Sequence, residues 1–203
     1  MRLLVKSLLF LILFLAVPAL AQVEPPARVG RVSLISGNLA FYGPGDTDWS
    51  AARINLPIAA GAWLATDPES GAEIRVGADS IDLSNDTQLN FAELHDNVMQ
   101  IPLTHGRIDL HLRRLNKDEA AEIDVPRGGV WLLQPGIYDV DSGGPDQPTR
   151  ITVFEGSARF TGGGIDTSIN AGDVLVVRQR HIIDSGRACH SRRVRPVVPL
   201  ARL

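Results

Sequence analysis

Thr152-Val153-Phe154-Glu155-Gly156-Ser157-Ala158-Arg159-Phe160-Thr161-Gly162-Gly163-Gly164 is the stretch that decides the fold. After Gly156, apolar residues alternate with polar ones at Ala158 and Phe160 until a run of glycines ends the pattern. Glycine enters the φ > 0 conformations of a tight turn at little steric cost, and a period of two lays apolar side chains on one face of a strand. The unit is therefore a turn followed by a strand. Thr161–Gly164 predicts a hairpin turn between Phe160 and a returning strand at Ile169.

The same unit recurs as Gly37 with Leu39 and Phe41, and as Gly71 with Ile74 and Val76. It returns as Gly106 with Ile108, Leu110 and Leu112, as Gly136 with Tyr138 and Val140, and as Gly172 with Val174 and Val176. Seven or more short strands, parted by Gly, Pro, Asp and Asn, predict an all-β domain of sandwich, roll or barrel-like form. The glycine intervals are irregular, which argues against a solenoid. Loops are expected at Gly43–Asp46, Thr66–Gly71 and Asp141–Asp146. Only Asn116–Ala121 has a helical composition, and a segment of that length is marginal as a helix, so it is expected to connect two strands.

Before the first of these units, Arg2 and Lys6 precede an apolar run from Leu8 to Val17, and Ala19-Leu20-Ala21 follows. That order is the basic, apolar and small-residue sequence of a secretory signal, with cleavage expected after Ala21. The apolar run is about half the roughly 20 residues a spanning helix needs. The chain is accordingly expected to be periplasmic or secreted, without stable membrane insertion after cleavage. Residues 22–177 form the expected β domain. The chain's one cysteine, Cys189, permits no internal disulfide, so stability must come from packing and the strand ladders.

Charge divides the chain. Gln22–Val177 holds 11 Lys and Arg against 22 Asp and Glu, whereas Arg178–Leu203 holds seven Arg against Asp184 alone. An acidic body repels phosphate backbones, so nucleic acid is not an expected partner. The basic end shows neither strand nor helix periodicity and is expected to be disordered or weakly attached, or a truncated or frame-shifted terminus.

The ordered set Val125-Pro126, Val130, Gly136-Ile137-Tyr138-Asp139-Val140, Thr152–Ala158 and Ala171-Gly172-Asp173 resembles the periplasmic domain of the FecR family. The match is densest over 122–177. Upstream, Arg31-Val32, Ser36-Gly37, Trp49, Gly61-Ala62, Leu64 and Ala72-Glu73-Ile74 resemble the N-terminal part of FecR-like proteins. Where many members carry Arg-Gly-Thr, this chain has Leu133-Gln134-Pro135-Gly136. The resemblance implies a β fold of the kind that senses an outer-membrane transporter and signals to a sigma factor, here in a soluble exported form lacking the transmembrane helix. What it implies of activity is binding to an envelope protein, without catalysis.

The residues themselves supply no catalytic, metal or cofactor-binding set. His95, His105, His111, His181 and His190 include no His-x-x-x-His pair and none stands with cysteine at zinc spacing, although His95 and His105 could meet across strands. Asp139-Val140-Asp141-Ser142-Gly143 opens like a calcium loop but departs from one at the fifth position, and Gly162–Asp166 is a single glycine-rich turn. Both are expected to be solvated turns. No G-x-S-x-G occurs, and Cys189 with His190 lies in the irregular end. Among the tryptophans, Trp63 and Trp131 sit in apolar runs and are expected in the core; Trp49, in a polar run, is the candidate ligand-surface aromatic. The reading is thus a non-enzymatic envelope module for sensing or scaffolding, acting by strand addition at exposed sheet edges. Its rivals are a carbohydrate-binding or polysaccharide-active envelope protein, and a fragment of a longer chain.

Overall fold

The computed structural model describes residues 28–178. Ala19 and Ala21 of the expected cleavage site lie outside the described residues, as do His181, Cys189, His190 and the basic end from 179 onward. The described chain is all-β. Its strands are β1 (Gly30–Ser36), β2 (Leu39–Tyr42), β3 (Ser50–Ala51), β4 (Pro57–Ile58), β5 (Trp63–Thr66), β6 (Gly71–Val76), β7 (Asp79–Leu83), β8 (Gln88–Asn90) and β9 (Glu93–Leu94). They continue with β10 (Val98–His105), β11 (Arg107–Leu112), β12 (Ala120–Val125), β13 (Gly128–Leu132), β14 (Gly136–Asp141), β15 (Thr149–Glu155), β16 (Ser157–Gly162), β17 (Ile165–Asn170) and β18 (Val174–Val177).

Eight strands form one sheet in the order β18-β15-β14-β11-β7-β6-β1-β4; the other ten form a second, β17-β16-β13-β12-β10-β8-β5-β2-β3, with β9 alongside β10. The chain passes from sheet to sheet while advancing from one end of both to the other. The recurring glycines explain how. Gly37, Gly106, Gly156 and Gly172 stand at passages between sheets with φ of 79°, 82°, 88° and 87°, where an L side chain is strained. Gly71 and Gly136 do not take positive φ, contrary to the turn role expected of them. At Gly136 the reason for glycine is close approach: a Cβ there would lie 2.0 Å from the Glu155 carbonyl oxygen.

The hairpin expected at Thr161–Gly164 is present, pairing β16 with β17 from Gly162↔Ile165 to Ser157↔Asn170. Gly163 and Gly164, at φ 55° and 77°, make the two-residue turn that such a hairpin favours. Asn116–Glu119 is a connection between β11 and β12, as its length suggested, closed by Glu119 accepting from the Asn116 backbone N–H at 2.9 Å.

Alternation does the packing. Val32, Ile74, Ile81, Ile108 and Val140 from the eight-stranded sheet share one core with Leu64, Leu89, Ile101, Ile123, Val130 and Phe160 from the ten-stranded sheet. Each such side chain removed from water contributes about 1.5–3 kcal/mol before the entropy of ordering is charged against it. Tyr138 is the largest fully buried side chain. Its hydroxyl lies 2.5 Å from the Gln134 carbonyl and 3.1 Å from that of Ser157, so one buried O–H serves the segment Leu133–Gly136.

Candidate functional site

With apolar side chains turned inward, each sheet leaves an outer face whose residues follow from strand parity. On the ten-stranded sheet, Leu64 and Thr66 are buried, so Trp63 points outward; Val130 and Leu132 are buried, so Trp131 does too. Neither tryptophan is in the core, which corrects the expectation drawn from their apolar neighbours. Trp131 is 40% exposed. Strand period outranks local hydrophobicity here, because the residues adjacent to an outward side chain in sequence are the ones that fill the core.

Trp63 lies directly across from Tyr42, and the Trp49 ring rests 5.8 Å from the Tyr42 ring at 42°. Trp49, the aromatic singled out from the sequence, is 46% exposed and packs on Tyr42, whose cross-strand neighbour on the other side is Trp63. Trp131 stands on the same face, between Glu122 on β12 and Arg159 on β16. Arg159 is held by Asp166 through two hydrogen bonds of 2.7 and 2.6 Å.

Beside Trp131, polar side chains close over Gly129. A Cβ added at Gly129 would stand 2.5 Å from Glu122 Oε1, 3.5 Å from Trp131 Nε1 and 3.6 Å from Asp124 Oδ1. Two carboxyl groups and an indole N–H therefore gather over a position that has no side chain. Gln100 reaches in from β10 and donates to Asp124 Oδ2 at 2.7 Å. Burial, then the adjacent charge of Asp124 and a hydrogen bond to it, push the Glu122 carboxyl up to about 7. Glu122 therefore holds its proton well above the ordinary carboxylate range.

This raised carboxyl gives a pH test. Between 4.5 and about 7 the folded chain binds a proton at Glu122 that the unfolded chain releases, so its stability contribution is full below that window and is lost as pH rises through it. The thermal midpoint is expected to fall from about pH 5 to about pH 8, and to fall less in Glu122→Gln. Equal slopes in the two proteins would contradict the raised Glu122 carboxyl.

The eight-stranded sheet carries a different pattern. Glu73, Asp82, Asp109 and Asp139 are successive cross-strand neighbours on β6, β7, β11 and β14. Like charges directly opposite destabilise a sheet, and the row is offset by cations. Arg75 donates to Glu73 at 2.7 Å and Arg107 donates through Nε to Asp139 at 2.5 Å. Burial and the neighbouring Asp109 raise the Asp139 carboxyl to about 6 against the pull of Arg107.

Asp139 is thus a buried strand residue paired to arginine, not part of a solvated turn. Asp141 does serve the turn, accepting from the Gly143 backbone N–H at 2.8 Å. In the other glycine-rich segment, Asp166 lies in β17 and binds Arg159. His95 and His105 do not meet: the first contacts Glu93 at 2.7 Å and the second Asp86 at 3.1 Å. His111 sits on the outer side of β11 opposite Ser80.

Edges complete the inventory. At one end of the sheets the outermost strands, β3 and β4, have two residues each. At the other end stand β18, with four, and β17, with six residues paired to β16 without a register shift. Among the described residues nothing pairs with the far side of β17.

Comparison with solved structures finds part of this fold again. Two crystal structures of a provisionally assigned anti-sigma factor from Parabacteroides distasonis ATCC 8503 superpose with TM-scores of 0.51, at 10% and 9% sequence identity. Each match covers 57% of this chain and 54% of the other, so the chain spans about half the length of the structures it matches. At that identity the likeness is one of fold. No protein-family model matches the sequence. No curated protein matches it either.

The residues that sequence reasoning missed are the outward ones: Tyr42, Trp63 and Trp131 with Gln100, Glu122 and Asp124. Parity against a buried neighbour is the signal that finds the aromatics. The convergence of Gln100, Glu122 and Asp124 needs the β10–β12 pairing, which is parallel and spans a long stretch of sequence.

Proposed function

We propose that this chain is a non-enzymatic, exported, FecR-like domain that acts by binding a protein partner in the cell envelope, in sensing or scaffolding. The observation that carries the reading is the long regular edge β17, set in a fold shared with a provisionally assigned anti-sigma factor. Protected edges are short, bulged, or marked by lysine and proline. β17, Ile165-Asp166-Thr167-Ser168-Ile169-Asn170, is neither short nor bulged and carries no lysine or proline, and its one charge, Asp166, is paired with Arg159, so its backbone can accept another strand. The FecR-like motifs over 122–177 and the signal-like segment at 1–21 support an envelope location and a protein partner for that edge.

Ser168 and Asn170 are exposed, and lysine at such positions blocks strand addition while leaving the inward residue Ile169 untouched. The full chain is expected to retain a defined envelope protein from extract, and the double variant Ser168→Lys with Asn170→Lys is expected to lose it at least about tenfold. Retention of the same protein by the double variant, with its melting transition unchanged, would overturn the edge reading.

A further inference from the structure

The outer face of the ten-stranded sheet makes a second, separate surface. It does not depend on the edge. From Trp63 on β5, through β8, β10 and β12, to Trp131 on β13 is four strand spacings, or about 19 Å. Trp49 and Tyr42 extend the aromatic end beyond Trp63. Between the two ends lie Pro102, Gln100, Asp124, Glu122 and the side-chain-free Gly129, all on one face.

Aromatic side chains placed so are not serving the core. The half-buried apolar residues that pack on the core are Ile35, Phe41, Ala52, Leu56, Ala60, Leu115, Ile165 and Leu175; Tyr42, Trp49, Trp63 and Trp131 are not among them. Flat rings at two ends of a platform, with carboxyl, amide and indole N–H groups between, match the two chemistries of a pyranose. Its C–H face is apolar and stacks on an aromatic ring, and its hydroxyls need donors and acceptors in the ring plane.

We propose that this face binds a linear glycan of neutral or amino-bearing sugars, laid across the strands from Trp63 to Trp131. Trp131 stacks the sugar whose hydroxyls or ammonium meet Glu122 and Asp124 above Gly129, and the Tyr42–Trp49–Trp63 group stacks sugars at the far end. Charge selects the class. Glu93, Glu122 and Asp124 line the middle, and the cation beside Trp131, Arg159, is already engaged by Asp166. An anionic polysaccharide is therefore disfavoured.

The test titrates the full chain with a glucosamine hexamer, its N-acetylated counterpart, an oligouronate and a Lys- and Trp-containing peptide, read by tryptophan fluorescence and calorimetry. A saturable response to either hexosamine is expected, weakened about tenfold by Trp131→Ala and by Trp63→Ala, and less by Trp131→Phe. Glu122→Gln is expected to weaken the glucosamine hexamer more than the N-acetylated one. Trp131 and Trp63 point away from the core, so unchanged melting transitions will certify the variants. No saturable response to either hexosamine, equal affinity in both alanine variants, or tighter binding of the oligouronate or the peptide would each overturn the proposal.

Discussion

Gly156→Ala is expected to cost about 3–5 kcal/mol, a large part of the 5–15 kcal/mol that holds a typical domain together. Two causes add. At φ 88° an L side chain is strained by about 1–3 kcal/mol, and the new Cβ would stand 2.3 Å from the Tyr138 hydroxyl and 2.7 Å from the Pro135 carbonyl oxygen. Backbone cannot yield cheaply, so Tyr138 must move. Its fully buried hydroxyl then loses the Gln134 and Ser157 carbonyls, at about 1–3 kcal/mol. Gly163→Ala is the control, since φ is 55° there but a Cβ meets nothing within 4 Å. Urea unfolding should show a loss of about 1 kcal/mol at 163 and several times that at 156. Equal losses would mean that φ alone, and not the packing of Tyr138, makes the passage from β15 to β16 depend on glycine.

The second large effect lies on the other sheet. Arg107→Met removes the cation from Asp139, whose side chain is only 4% exposed and faces Asp109 across the ladder. Breaking a buried pair by removing one partner is severe, but here the arginine end is half in water, which reduces the cost to about 2 kcal/mol at neutral pH. The sign of the pH dependence follows from Asp139. Its carboxyl is already raised to about 6 from 3.8, so its stability contribution is full below 3.8 and is lost as pH rises through 6. Without Arg107 the carboxyl rises further. The deficit of the variant should therefore shrink as pH is lowered from about 7 to about 5, and Asp139→Asn in the same background should remove most of it. A deficit independent of pH would show that Arg107 acts through packing of its stem and not through charge.

Much of this fold is readable from Gly156 and its relatives, because the two signals involved are strictly local. Period-two alternation needs only neighbouring residues, and a glycine before it marks a passage between sheets at Gly37, Gly106, Gly156 and Gly172. Gly136 looks the same in sequence but answers to a different constraint, the Glu155 carbonyl, which only the β14–β15 pairing brings near. The tryptophans show the opposite failure. Trp63 and Trp131 have apolar neighbours, and window hydrophobicity assigns them to the core, while parity with Leu64 and Val130 sends them outward. The Glu122–Asp124–Gln100 convergence was not legible at all. It rests on a parallel pairing of β10 with β12 around an intervening strand of the other sheet, and no local pattern announces such a neighbour.

The two proposals assign different partners to different surfaces, a strand to β17 and a glycan to the face bearing Trp131. A domain arranged so would hold an envelope protein at one end and a polymer across one side, with no chemistry required of it.

Photo-crosslinking in intact cells tests the binding role most directly, with a photoreactive residue at Ser168 on β17 and, for comparison, at Ser50 on the two-residue edge β3. The expected result is one dominant adduct to an envelope protein from position 168 and none from position 50. A uniform, weak set of adducts from both positions, or an adduct only to cytoplasmic proteins, would contradict it.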